Sequence, residues 1–246
     1  MPSRRSFLRR AGTVAGLGVV AATADRLGDG VVRTKAGGTS DESIDLESPD
    51  SETFVPPADV AAYVSRTRER YGDAGVPWTD PGSLAGEFVG AYARREDVVP
   101  SERYAVQDAA VLVHHLGDAR YRLRLWSAGR LLDEAYEVDP WGYYREDPAF
   151  TWLEHAVATD RDEQLSANRS LSTGGGRVDV AGGSVSVPDG SYRTGLDGDA
   201  RYRSRWEGFH AGAVPLLGAC EVRFGDGDDH RLDWTRSTGV GVRTPF

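Results

Sequence analysis

The chain reads as an α+β protein, an antiparallel β-sheet packed by a few helices. Three observations point there. Apolar residues recur with a period of two over 104–138 and again over 176–235, the alternation of half-buried strands. Three segments carry helical spacing instead. An eight-residue stretch occurs twice with one difference, which suggests a repeated β-hairpin unit.

Taken in order, residues 25–57 are rich in Gly, Ser, Thr, Asp and Glu and nearly empty of large apolar groups. Such a composition cannot offset its ordering entropy by burial, and a flexible spacer is expected up to Pro56-Pro57. Val60, Tyr63, Val64, Thr67 and Tyr71 then follow helical spacing and Gly72 stops the run, so a helix is expected over 59–71. Asp80-Pro81 reads as a cap with a first-turn proline, opening a second helix with Leu84, Phe88, Ala91 and Tyr92 inward. Asp147-Pro148 repeats that signal, and Phe150, Leu153 and Val157 continue a third helix. Val111, Leu112, Val113 and Leu116 read as a strand apolar on both faces. Arg120 to Trp126 alternates, with Tyr121, Leu123 and Leu125 inward. Further strands are expected at 176–181, 183–188, 201–207, 219–224 and 230–235, the last two joined by a hairpin loop at 225–229. The echo runs from Gly117 to Arg124 and from Gly198 to Arg205, with seven of eight positions identical. It suggests a duplicated β-hairpin unit. Residues 58–246 are expected to form one domain.

Composition narrows the function classes. The chain has 38 acidic against 29 basic residues and a formal charge of −9. A surface this acidic repels phosphate backbones, so nucleic acid is a poor partner. Cys220 is the sole cysteine, so no intramolecular disulfide is available, and its apolar setting suits a buried, inert thiol. Lys35 is the only lysine.

The N-terminus carries an address. Arg4, Arg5, Arg9 and Arg10 precede Ala11–Ala24, which has no charged residue, and Ala22-Thr23-Ala24 offers a small-residue exit. The uncharged run is too short to span a bilayer as an ordinary helix, and no later segment is apolar enough to do so. Ser3-Arg4-Arg5-Ser6-Phe7-Leu8-Arg9 resembles the twin-arginine (Tat) export signal. That resemblance implies recognition of Arg4, Arg5, Phe7 and Leu8 by the Tat translocase, cleavage after Ala24, and an extracellular or cell-surface location. Loss of residues 1–24, which hold four arginines and no acid, would take the formal charge to −13. Acidic excess, scarce lysine and this signal together resemble exported proteins of halophilic archaea. The resemblance covers the signal and the composition alone.

Candidate chemistry is dispersed. Arg120, Arg122 and Arg124 should line one strand face, and Arg201, Arg203 and Arg205 another. If the two strands pair, six guanidiniums could bind sulfate, phosphate or acidic glycans. The favoured alternative is pairing with carboxylates such as Asp133, Glu134, Glu137 and Glu221. Trp141, Tyr143, Tyr144, Phe150 and Trp152 could form a sugar-stacking platform, or core and lid. His114 and His115 are adjacent on a strand and point to opposite faces, so they cannot chelate one ion together. No H-E-x-x-H, Cys/His ligand set, EF-hand register, G-x-S-x-G elbow or Walker lysine occurs, and neither metal nor cofactor is expected. Asn168 in Asn168-Arg169-Ser170 is a glycosylation acceptor. The leading expectation is an exported, non-catalytic domain binding a ligand or an envelope component. A secreted hydrolase built on carboxylates with His155, His210 or His230 is the alternative. A structural cell-envelope accessory is the third.

Overall fold

The computed structural model describes residues 30–49, 52–78, 85–97, 104–132, 147–160, 164–167, 170–198, 200–225, 227 and 229–245. The fold is α+β, dominated by antiparallel sheet. The elements in chain order are β1 (Gly30–Asp45), β2 (Phe54–Val55), α1 (Pro57–Tyr71), a 3-10 turn (Gly72–Ala74), β3 (Glu87–Asp97), β4 (Ala105–Gly117), β5 (Arg120–Leu131), β6 (Pro148–Ala158), β7 (Leu165–Ser166), β8 (Leu171–Thr173), β9 (Gly176–Val180), β10 (Gly183–Val187), β11 (Gly190–Leu196), β12 (Arg201–His210), β13 (Val214–Arg223) and β14 (Arg231–Pro245).

Two six-stranded sheets pack face to face. The first has the order β1-β14-β6-β12-β11-β8, and the second β2-β3-β4-β5-β13-β7. A two-stranded ribbon, β9–β10, packs on β13. Between the sheets lie Ile44, Val111, Leu123, Leu125, Val157, Tyr202 and Trp234. The other face of the second sheet is covered as well. There Tyr71 of α1 packs edge-on against Trp126, whose Nε1 donates to the Ala74 carbonyl at 3.0 Å. Tyr71 also donates to buried Asp108 at 2.7 Å, and Trp78 donates from Nε1 to Ala181 of the ribbon turn. Covered on both sides, β4 is buried continuously from Ala105 to His114, as its two apolar faces foretold. Among the described residues one broad face of the first sheet stays open, and the candidate site lies there.

The helix over 59–71 is present as α1, with Val60, Val64, Thr67 and Tyr71 buried. The other two expected helices are strands. Asp80-Pro81 and Leu84 lie outside the described residues, but Phe88, Ala91 and Tyr92 belong to β3, while Phe150, Leu153 and Val157 belong to β6. Both errors have one cause. The register of β3 against β4 shifts between Phe88 and Gly90, and that of β6 against β14 shifts at Thr151. A β-bulge adds one residue to a strand, so two side chains three apart share a face. Phe88 with Ala91, and Phe150 with Leu153, are such pairs, and their spacing imitates a helical turn.

The spacer expected over 25–57 also differs. Its residues 30–45 form β1, paired along its length with β14. As an edge strand it needs few apolar anchors, and Ala36, Ile44 and the following Leu46 supply them. Its register shifts at Lys35, a bulge of the kind that blunts an edge strand.

The repeated segment is a hairpin turn with its outgoing strand in both places. Gly117 pairs with Arg120 across Asp118-Ala119, both at positive φ as a type I′ turn requires. The later copy joins β11 to β12. The two copies lie in different sheets, so β5 and β12 do not pair.

Candidate anion-binding groove

On the open face of the first sheet, alternation along β12 sends Tyr202, Ser204 and Trp206 into the core and Arg201, Arg203 and Arg205 outward. All three reach one carboxylate. Glu154 of β6, itself 6% exposed, takes Arg201 at 2.7 Å, Arg205 at 2.6 Å and Arg203 at 3.8 Å. Arg205 also grips Glu207 at 2.6 Å, and Arg203 pairs with Asp197 at 3.1 Å. Charge-assisted pairs of this kind hold the guanidiniums rigid.

The next strand adds a cation to this row. Arg193 of β11 stands directly across from Arg205, is exposed, and has no ion pair or hydrogen bond among the described residues. It lines a groove of about 780 Å³ with Arg203, Arg205, Glu207, Asp197 and the hydroxyl residues Ser170, Ser172 and Ser191. With Arg201 and Glu154 behind them, four guanidiniums meet three carboxylates. Gly195 brings the wall close, since a Cβ there would collide with Ser170. On a chain of charge −9, this is a local positive excess with one guanidinium uncommitted.

Beside the groove, Trp152 of β6 faces Glu207 in register and lies on the same open face. Its indole covers Gly239 of β14 and Gly37 of β1. A Cβ at Gly239 would run into its benzo ring, and one at Gly37 would sit 3.1 Å from it. Its Nε1 donates to Ser237 Oγ at 3.2 Å.

The six arginines therefore do not form one face. Arg120 is exposed at the start of β5 and Arg122 grips Glu221 of β13 at 2.6 Å. Arg124 is buried, its guanidinium 5.5 Å from the centre of the Trp78 ring. The outward row on β5 is only partly outward because Trp78 covers that face. Arg193, Glu154 and the seat of Trp152 were not foreseen. Outward Ser191, Arg193 and Gly195 alternate with inward Tyr192 and Thr194, a period of two that was available in the sequence.

The histidines hold separate partners. His155 is fully buried and accepts a hydrogen bond from Trp234 Nε1 at 2.6 Å, so its proton sits on Nδ1. Burial, then the nearby Arg236, pushes its pKa down to about 3. His114 is buried against Phe88, and burial with Arg124 and Arg122 lowers its pKa to about 4. His115 packs on Tyr121, and His230 stacks on Phe224 and bonds Tyr121 OH at 3.0 Å. His210 ends β12 beside Gly212. The structure does not bring His155, His210 and His230 into one site. Cys220 is buried and burial raises its thiol pKa well above the usual range. It lines a second cavity of about 320 Å³ beside Tyr202, Thr194 and the Arg122–Glu221 pair. Among the described residues no cluster of three His, Cys, Asp or Glu is arranged to hold a metal. Trp141, Tyr143, Tyr144 and Asn168 lie outside the described residues, as does the whole of 1–24.

No protein-family model matches the chain, and no curated protein is detectably similar to it. Among the described residues, no helix is long and apolar enough to cross a membrane.

Proposed function

We propose that this protein is an exported, non-catalytic binding domain that takes an anionic ligand in the groove beside Arg193. The observation that carries the reading is the uncommitted guanidinium of Arg193, set among hydroxyls and opposite Arg205. Arg203 and Arg205 are already engaged by carboxylates, so their part is to hold a positive field rather than to grip the ligand directly. Asp197, Glu207 and Glu154 are each bound to arginine, which suits a rigid receptor better than a general acid–base pair. The export half of the proposal rests on the N-terminal pattern, with cleavage after Ala24.

Each half has its own test. Titrating the protein calorimetrically with sulfate and with a uronate should show saturable binding that Arg193→Ala weakens and Arg193→Glu abolishes. Equal binding by the three proteins would overturn the groove as the site. For export, Arg4→Lys with Arg5→Lys should leave the chain in the cytoplasm, and the mature protein should begin at Asp25. The intact chain, Met1 included, found dissolved in the cytoplasm would overturn the signal.

A further inference from the structure

The geometry points to a ligand class: an anionic glycan laid across the strands, its acid group at Arg193 and a sugar ring on Trp152. This rests on the anion-binding reading and adds a second contact to it.

The case begins with how the indole is seated. Two glycines, Gly239 and Gly37, are neighbours across β14 and β1, and their missing side chains leave a flat bed. The Trp152 ring lies on that bed, held by its bond to Ser237 Oγ. One ring face therefore meets backbone and the other turns away from the sheet. Trp78, Trp126, Trp206 and Trp234 are at most 3% exposed, whereas Trp152 is half-buried. A fixed aromatic plane beside a few polar groups suits a ligand with a ring-shaped apolar face and hydroxyls around it.

The spacing agrees. Trp152 is on β6 and Arg193 on β11, with β12 between them. Two strand intervals separate them by about 10 Å across the sheet, the span of a short oligosaccharide. Glu207 pairs in register with Trp152 on one side and with Ser191 on the other. Its side chain is 55% exposed, and with Oε1 held by Arg205 its other oxygen can accept from sugar hydroxyls, while Ser191 can donate. A free inorganic anion would use the Arg193 end alone. A nucleic acid also combines rings with acid groups, but it brings a charge on every nucleotide against a chain of net −9 that offers one uncommitted guanidinium in this groove.

The experiment uses the full chain at fixed ionic strength with four probes: a hyaluronan oligosaccharide, whose acid groups sit on alternate sugar rings, neutral dextran, sodium acetate and a single-stranded oligonucleotide. The hyaluronan oligosaccharide should bind more tightly than sodium acetate and should shield the protein's tryptophan fluorescence from acrylamide. Trp152→Phe should lose the shielding, and Trp152→Leu should weaken the oligosaccharide about tenfold while leaving sodium acetate unchanged. Arg193→Ala should weaken both. If the oligosaccharide gains nothing over sodium acetate, or no shielding occurs in the unmodified protein, the glycan inference falls and the anion site stands. If neutral dextran or the oligonucleotide binds as tightly as the hyaluronan oligosaccharide, the ligand class is wrong. If no anion binds, the reading beneath it falls too.

Discussion

Glu154 carries more than any other side chain on the open face, because three guanidiniums share its one carboxylate. Removing one partner of a buried pair leaves uncompensated charge. The arginines keep roughly a third of their side-chain surface in water, which lowers the penalty. Glu154→Gln should therefore cost about 3 kcal/mol, at the low end for a buried pair, measured by urea unfolding, with a smaller loss in molar salt. The two buried histidines set a pH dependence. Their folded pKa values, about 4 for His114 and about 3 for His155, lie below the ordinary 6.5. Below pH 6.5 the unfolded chain takes up protons that the folded chain refuses, so stability falls as pH drops. The slope should approach about 1.4 kcal/mol per pH unit for each histidine, flattening first for His114 near pH 4. Unfolding free energies measured at pH 7, 5.5 and 4.5 check this, and equal values at the three would refute it. Cys220, buried with a raised pKa, should react with a thiol reagent at pH 8 only after unfolding.

At the scale of elements, β13 shows how an incomplete strand is finished. It pairs with β5 along its length but with β7 only at Glu221 and Val222. The backbone groups left over are met by hydroxyls from the first sheet. Ser204 donates to the Leu217 carbonyl at 2.8 Å, Tyr192 donates to the same oxygen, and the Ala219 N–H donates to Tyr202 OH at 3.0 Å. Gly218 allows the approach, since a Cβ there would lie 2.6 Å from Ser204 Oγ. Gly218→Ala should cost about 1–3 kcal/mol by wedging the sheets apart, read as a lowered Tm. These contacts mark what could and could not be read from the chain. Strict alternation exposed β5, β9, β10 and β12, and the apolar run exposed β4. The bulged strands β3 and β6 were read as helices because one inserted residue turns a period of two into a step of three. Likewise β1 was read as spacer because its order comes from pairing with β14, nearly two hundred residues away. The groove was half legible. The row of arginines on β12 stood out, but Glu154 and Arg193 join it only through strand order, which local pattern does not carry.

Across the whole molecule, charge is the unbalanced quantity. The formal charge is −9, and −13 without the first 24 residues. Self-repulsion of that size is weakly screened in dilute buffer, where the Debye length reaches about 30 Å at 0.01 M. The melting temperature should therefore rise with potassium chloride into the molar range, and a flat response would argue against a salt-adapted protein. Topology matters as much as charge. Among the described strands, β1 has its backbone ladder with β14 alone, at the opposite end of the described chain. Such distant pairing folds slowly. A chain cut short ahead of β14 leaves β1 without its ladder and one side of β6 unpaired, an open template for pairing with another copy of itself.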